Sequence, residues 1–178
     1  MKARLKTILL SSIGVISAFS LVTFSSCEDK CKTISCAYDG ICSEGKCICK
    51  TGYEGPQCEV LSRTKFMGPW TVTENGSITD ASKYSISVEA GVSDNEVRII
   101  NLRNFFEEPI NAFVKGDTIY IPEQDVENQT VVGNGWIEDD NKFGDNGRVL
   151  LKYKVTDKST NESDDFGADG GDPSIWNR

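Results

Sequence analysis

The chain has no histidine among its 178 residues, and none of its seven cysteines lies beyond position 58. The first absence removes the imidazole base of Ser-His and Cys-His nucleophile systems, and with it the commonest ligand of catalytic transition metals. The second leaves everything after Cys58 to be held by an apolar core rather than by crosslinks. Cations are scarce too: 19 Lys and Arg stand against 27 Asp and Glu, a formal net charge of −8. A surface of that sign repels nucleic acid and anionic headgroups, so no nucleic-acid partner is expected. After residue 26 no apolar run approaches membrane-spanning length. Sustained helical periodicity is also missing from the long C-terminal part.

The N-terminus carries an address. Lys2, Arg4 and Lys6 precede an apolar run over 8–24 interrupted only by small and hydroxyl residues, and Ser25 and Ser26 close it. This is the pattern of a secretory signal peptide over 1–26, and its removal takes away three of the cations. Cys27 follows directly, and an odd cysteine in an exported chain calls for a modification or an outside partner. The stretch Phe24-Ser25-Ser26-Cys27 resembles the lipobox of bacterial lipoproteins, with Phe24 where Leu is usual. The resemblance implies cleavage before Cys27, a thioether to diacylglycerol and an acylated (palmitate-type) amine; each buried methylene contributes about 0.8 kcal/mol of anchoring. Glu28 and Asp29 are similar to the acidic export signal of Bacteroidetes-type lipoproteins. Together these imply a lipid-anchor segment over 27–30 and a place in the cell outer membrane, facing the exterior, with the membrane as partner through the lipid.

The six remaining cysteines are spaced C-x4-C-x5-C-x4-C-x-C-x8-C over 31–58, and the last stretch reads Cys47-Ile-Cys49-Lys-Thr-Gly52-Tyr53-Glu-Gly55-Pro-Gln-Cys58-Glu59. A segment of 31–59 is too short to bury enough apolar area against its chain entropy, so crosslinks must restrict its unfolded state. Each closed loop of about ten residues contributes roughly 3 kcal/mol in the chain-entropy account. Spacing alone does not choose the pairing. The segment resembles the EGF family, and that resemblance implies Cys31–Cys42, Cys36–Cys47 and Cys49–Cys58. Gly52 and Gly55 suit the tight hairpin between the last two cysteines, where positive φ is cheap for glycine. Zinc is disfavoured because the close pair is C-x-C and histidine is missing. Calcium is disfavoured because Asp29 stands alone beside Lys30, and because 139–147 lacks both the D-x-[DN]-x-[DN]-G spacing and a closing Glu. No metal and no cofactor are expected beyond the lipid at Cys27.

A connector over 60–65 leads into a second domain over 66–178 in which apolar residues recur every second position. Tyr84, Ile86 and Val88 alternate with serines, and Val149, Leu151, Tyr153 and Val155 alternate with Leu150, Lys152 and Lys154. Further strands are expected at 70–74, 96–102, 110–115, 118–122, 130–137 and 174–177, with Gly116-Asp117 as a tight hairpin turn. The expectation is an all-β antiparallel meander of seven or eight strands, curled into a small barrel or sandwich. Residues 157–173, rich in Asp, Ser, Asn and Gly, read as a mobile loop. The run Lys65-Phe66-Met67-Gly68-Pro69-Trp70 resembles the start of lipocalin-type barrels, which implies that Trp70 closes one end as a core or ligand-facing aromatic. Gly68-x-Trp70-x-Val72-x-Glu74, Tyr84-x-Ile86 and Thr118-Ile-Tyr-Ile-Pro122 also resemble uncharacterised β domains that follow an EGF module in such lipoproteins.

Chemistry is thin. The carboxylate pairs Glu107-Glu108 and Asp139-Asp140 sit beside turn residues and read as solvated acidic loops, and no phosphate-loop pattern occurs. The expected function is a non-catalytic surface lipoprotein, an adhesion or protein-contact module with a protein or glycan partner and the EGF-like unit as spacer. The alternative is a lipocalin-like carrier of a small hydrophobic ligand. A filled interior favours the first and an aromatic-lined cavity the second.

Overall fold

The computed structural model describes residues 30–178. The signal peptide over 1–26 and the anchor residues Cys27, Glu28 and Asp29 lie outside the described residues.

The first unit is held by three disulfides, Cys31–Cys42, Cys36–Cys47 and Cys49–Cys58, with S–S distances of 2.04, 1.96 and 2.09 Å. Between them run a short hairpin of β1 (Ile41–Ser43) and β2 (Lys46–Ile48), then β3 (Tyr53–Glu54) and β4 (Val60–Leu61). Gly52 and Gly55 take φ of +96° and +94°, the region in which a side chain would be strained. Tyr53 stacks on Tyr38 at 4.4 Å between ring centroids.

The second unit is a closed barrel of eight antiparallel strands. They are β5 (Gly68–Glu74), β6 (Ser82–Ala90), β7 (Glu96–Ile100), β8 (Ile110–Lys115), β9 (Thr118–Val126), β10 (Gln129–Asp140), β11 (Gly144–Asp157) and β13 (Ser174–Asn177). Each pairs with the next, and β13 bridges β11 and β5 to close the ring. A short extra strand, β12 (Ser163–Phe166), pairs with the C-terminal end of β11. The period-two alternation is thus realised, with one row of side chains turned inward and the other to solvent. Closure removes the exposed edges that an open meander would leave.

The interior is occupied. Trp70, Trp176, Tyr153, Phe66, Phe106 and Phe166 are its largest side chains, all at most 2% exposed, and Val, Ile and Leu from every barrel strand except β13 fill the space between them. Gly133 and Gly135 on β10 face inward against β11. A Cβ on Gly135 would lie 2.5 Å from the Leu150 carbonyl oxygen and 2.9 Å from the Leu151 Cα, so only glycine lets β11 come this close.

The stretch 157–173 is more ordered than its composition predicts. Asp164 and Phe166 of β12 are buried, and Phe166 stacks on Tyr153 at 4.4 Å with an interplanar angle of 5°. The polar composition hid a single buried aromatic together with an aspartate whose hydrogen bonds are all made inside the fold.

The connector is structured as well. Leu61 pairs with Tyr53, Ser62–Lys65 forms a 3-10 turn, and Phe66 then plugs the end of the barrel at 0% exposure. Arg63 Nη1 donates to the carbonyls of Gly91, Ser93 and Glu96 at 3.3, 2.6 and 3.2 Å, all at the β6–β7 turn. Tyr53 donates its hydroxyl to Asp94 at 2.8 Å, and Lys65 bridges Glu54 of the disulfide unit and Asp117 of the β8–β9 turn.

Candidate functional site

Two places concentrate unusual side chains: a polar cluster at the barrel pole remote from the disulfide unit, and a groove in the outer wall.

The polar cluster forms where β5 ends. Glu74 points inward and is 5% exposed; its carboxylate accepts from Tyr84 at 2.7 Å, Tyr153 at 3.0 Å and Ser174 at 2.6 Å. Trp176 Nε1 in turn donates to Ser174 Oγ at 3.1 Å. Burial, then the negative charge of Glu74, pushes the Tyr84 phenol far above its ordinary range. Tyr153 rises well above it as well, through burial and then the neighbouring Tyr84 and Glu74. Both therefore remain neutral donors, the form the carboxylate needs.

Beside it, Arg103 occupies a left-handed conformation with φ of 60°, flanked by Asn101 at 65° and Asn104 at 50°. Its backbone N–H donates to Tyr84 Oη at 2.7 Å, and its guanidinium reaches Asp164 at 2.9 Å and Thr79 Oγ1 at 2.8 Å. The Asp164 carboxylate also accepts from the Ile78 N–H at 2.9 Å and from the Thr79 N–H and hydroxyl. Burial pushes its carboxyl upward, but the Thr79 hydroxyl, the two backbone donors and the Arg103 charge outweigh it, and the net direction is downward. Asp164 is paired with Arg103 and Glu74 is held by three hydroxyl donors, so the cluster welds loops 75–81 and 101–109 to β12 with each of its carboxylates hydrogen-bonded inside the fold.

The groove lies across β8, β9, β10 and β11. β8 and β9 pair over only three positions, the first of them Phe113 with Tyr120. Farther along, the Gln124 side chain takes over, accepting from the Asn111 N–H at 3.0 Å and donating to the Asn111 carbonyl at 2.7 Å. On its other side β9 carries a bulge, because Val131 pairs with Gln124 while Gly133 pairs with Ile121. Pro122 and Glu123 thus oppose Val132 alone, and Pro122 sits where its missing N–H costs no ladder bond. The outcome is a depression of about 580 Å³, its outward lining Phe113, Tyr120, Pro122, Val132, Asn134, Lys152 and Ala168. Phe113, Tyr120, Val132 and the neighbouring Trp136 are 37–46% exposed, and Lys152 Nζ lies 5.8 Å from the Trp136 ring.

The sequence-derived candidates fall elsewhere. Trp70 is a core residue: it is 2% exposed, its Nε1 donates to the Phe66 carbonyl at 2.7 Å, and Arg178 covers its ring at 4.7 Å. Glu107 and Glu108 are exposed in the β7–β8 loop. Asp139 and Asp140 end β10, where they accept backbone N–H groups from Asn146 and from Lys142 and Phe143 and so shape the β10–β11 turn. Among the described residues no group of three or more His, Cys, Asp or Glu is placed to hold a metal ion. The groove escaped sequence reading because its members come from four strands; the signal that could have found it is the outward register, Phe113, Tyr120, Asn134 and Lys152, once the pairing is known.

Fold and site define a class: a three-disulfide EGF module followed by an all-β, eight-stranded antiparallel barrel. Residues 33–61 match the family described as the teneurin-like EGF domain. No curated protein matches the chain. Among solved structures, a redesigned β-barrel is 14% identical, over 66% of this chain and 94% of its own, at a TM-score of 0.42.

Proposed function

We propose that the chain is a non-catalytic, lipid-anchored surface protein whose barrel wall makes contacts and whose EGF-like unit holds that wall away from the membrane. The observation that carries this reading is the distribution of apolar surface. The interior is filled by aromatic and branched side chains, whereas Phe113, Tyr120, Val132 and Trp136 lie on the outside of one wall. A carrier of a small hydrophobic ligand needs that arrangement reversed, with the free volume within. The buried acid Glu74 has its carboxylate occupied by three hydroxyl donors, which suits a structural role rather than general acid–base work. Anchoring rests on Cys27 and its lipobox-like approach, and an outward orientation on Glu28 and Asp29.

The test is adhesion of beads coated with the full chain to extracellular-matrix and bacterial envelope extracts, beside a titration with a fluorescent fatty acid. Adhesion that falls with Tyr120→Ala plus Trp136→Ala is the expected result. Saturable uptake of the fatty acid without adhesion would replace the reading with a carrier. Mass spectrometry of the membrane fraction should find Cys27 diacylated; an unmodified thiol removes the anchor.

A further inference from the structure

Given the reading of this wall as a contact surface, on which the assignment rests, the chemistry of its groove narrows what it can hold. Register fixes a row of outward residues across four adjacent strands: Phe113 opposite Tyr120, Tyr120 opposite Asn134, Asn134 opposite Lys152. Three strand spacings make that row about 14 Å long. It begins with two aromatic rings, continues through an amide and ends at an ammonium group. Pro122 and Val132 form an apolar floor along one side, and Trp136 stands beyond the other.

Charge sharpens the picture. The chain has 27 acidic residues, yet the groove is lined by no carboxylate, and its single charged residue is a cation. Lys152 forms no ion pair among the described residues, although the next outward cations along the barrel do: Lys154 is bonded to Asp169 and Arg148 to Asp140. The Asn134 side chain makes no hydrogen bond to another described residue, so its donors and acceptor face the groove unspent.

We propose that this groove binds an acidic oligosaccharide. Pyranose rings present a C–H face that packs flat on exposed aromatic rings and a hydroxyl rim that an amide can both donate to and accept from. A carboxylate on the sugar completes the match by pairing with Lys152, whose ammonium is held by no described acid, the nearby Asp169 being taken by Lys154. A protein partner fits less well: a standard interface needs roughly 800 Å² per side with a continuous apolar centre, and here Phe113, Tyr120, Val132 and Trp136 are each less than half exposed. An extended peptide added as a strand is opposed at the floor, because Pro122 offers no N–H and the Gln124 side chain already occupies the N–H and carbonyl of Asn111.

The test is isothermal titration of the full chain with oligogalacturonate and hyaluronan oligosaccharides, with their carboxyl-reduced counterparts and with polyglutamate. The expected result is binding of at least one acidic oligosaccharide. It should weaken about tenfold on carboxyl reduction or on Lys152→Met, and by a similar factor on Tyr120→Ala, the loss of one charge pair or one ring contact. Both side chains point outward, so melting curves should match the parent, and Lys152→Arg should restore affinity. Equal binding of polyglutamate would overturn the sugar in favour of an acidic peptide, and indifference to Lys152→Met would overturn the site. No binding of either oligosaccharide while bead adhesion persists would sink this proposal and spare the contact reading; loss of adhesion as well would end both.

Discussion

The carboxylate of Asp164 receives the Thr79 hydroxyl, two backbone N–H groups and the Arg103 guanidinium, which also lies 5.7 Å from the centre of the Phe166 ring. Its folded pKa lies below the ordinary 3.8, so its contribution to stability is complete above that value and disappears as pH falls through the lower folded one. Asp164→Asn should therefore melt earlier at neutral pH and should lose less on acidification below about pH 4 than the parent does. Thermal melts across that range check this; parallel acid limbs in parent and variant would refute it. At this scale the sequence was legible where a residue repeats a pattern, as with inward Val72, Ile86 and Leu151, and opaque where a lone residue acts through distant partners. Asp164 lies 61 residues from Arg103 and 85 from the Thr79 hydroxyl, and nothing local in a stretch of Asp, Ser and Asn marks it as buried.

β10 and β11 form the longest pair in the barrel, and their close approach depends on glycine rather than on side-chain fit. Gly135→Ala pushes a methyl against two backbone atoms of β11 that cannot move aside, and overpacking of that kind costs about 1–3 kcal/mol. The melting temperature should fall by roughly 4–8 °C per kcal/mol for a barrel of this size. Gly170→Ala, where a Cβ meets nothing within 4 Å, is the control and should leave it unchanged. Equal melting of the two variants would contradict the account. The strands themselves could be read from alternation and the Gly116-Asp117 turn, because a period of two belongs to any half-buried strand. Barrel rather than sandwich could not, since closure depends on four residues of β13 bridging β11 and β5, and on inward glycines whose purpose shows only against the neighbouring strand.

Across the whole molecule, the disulfide unit and the barrel meet through Arg63, Tyr53 and Lys65, so the connector over 60–65 works as a joint with defined contacts. Cysteine spacing revealed the first unit, but the joint uses backbone carbonyls of the β6–β7 turn, which leave no trace in residue type. Arg63→Ala removes one guanidinium from three carbonyls. The barrel should keep its melting temperature while the two units acquire separate tumbling times in nitrogen-15 relaxation. A single shared tumbling time in the variant would show that the joint does not depend on Arg63.

That joint also decides how tension would travel. A pull on the chain before Cys31 cannot straighten the crosslinked segment beyond its disulfides, so the load passes through Ser62–Lys65 to Phe66 and the start of β5. β5 is laced along its length to β6 and over 71–73 to β13, so a pull directed along the strand would strain its hydrogen bonds together in shear rather than open them one by one. A tethered protein built this way would yield abruptly at a high force. Before that point it would keep the groove wall intact while whatever it holds drags against it.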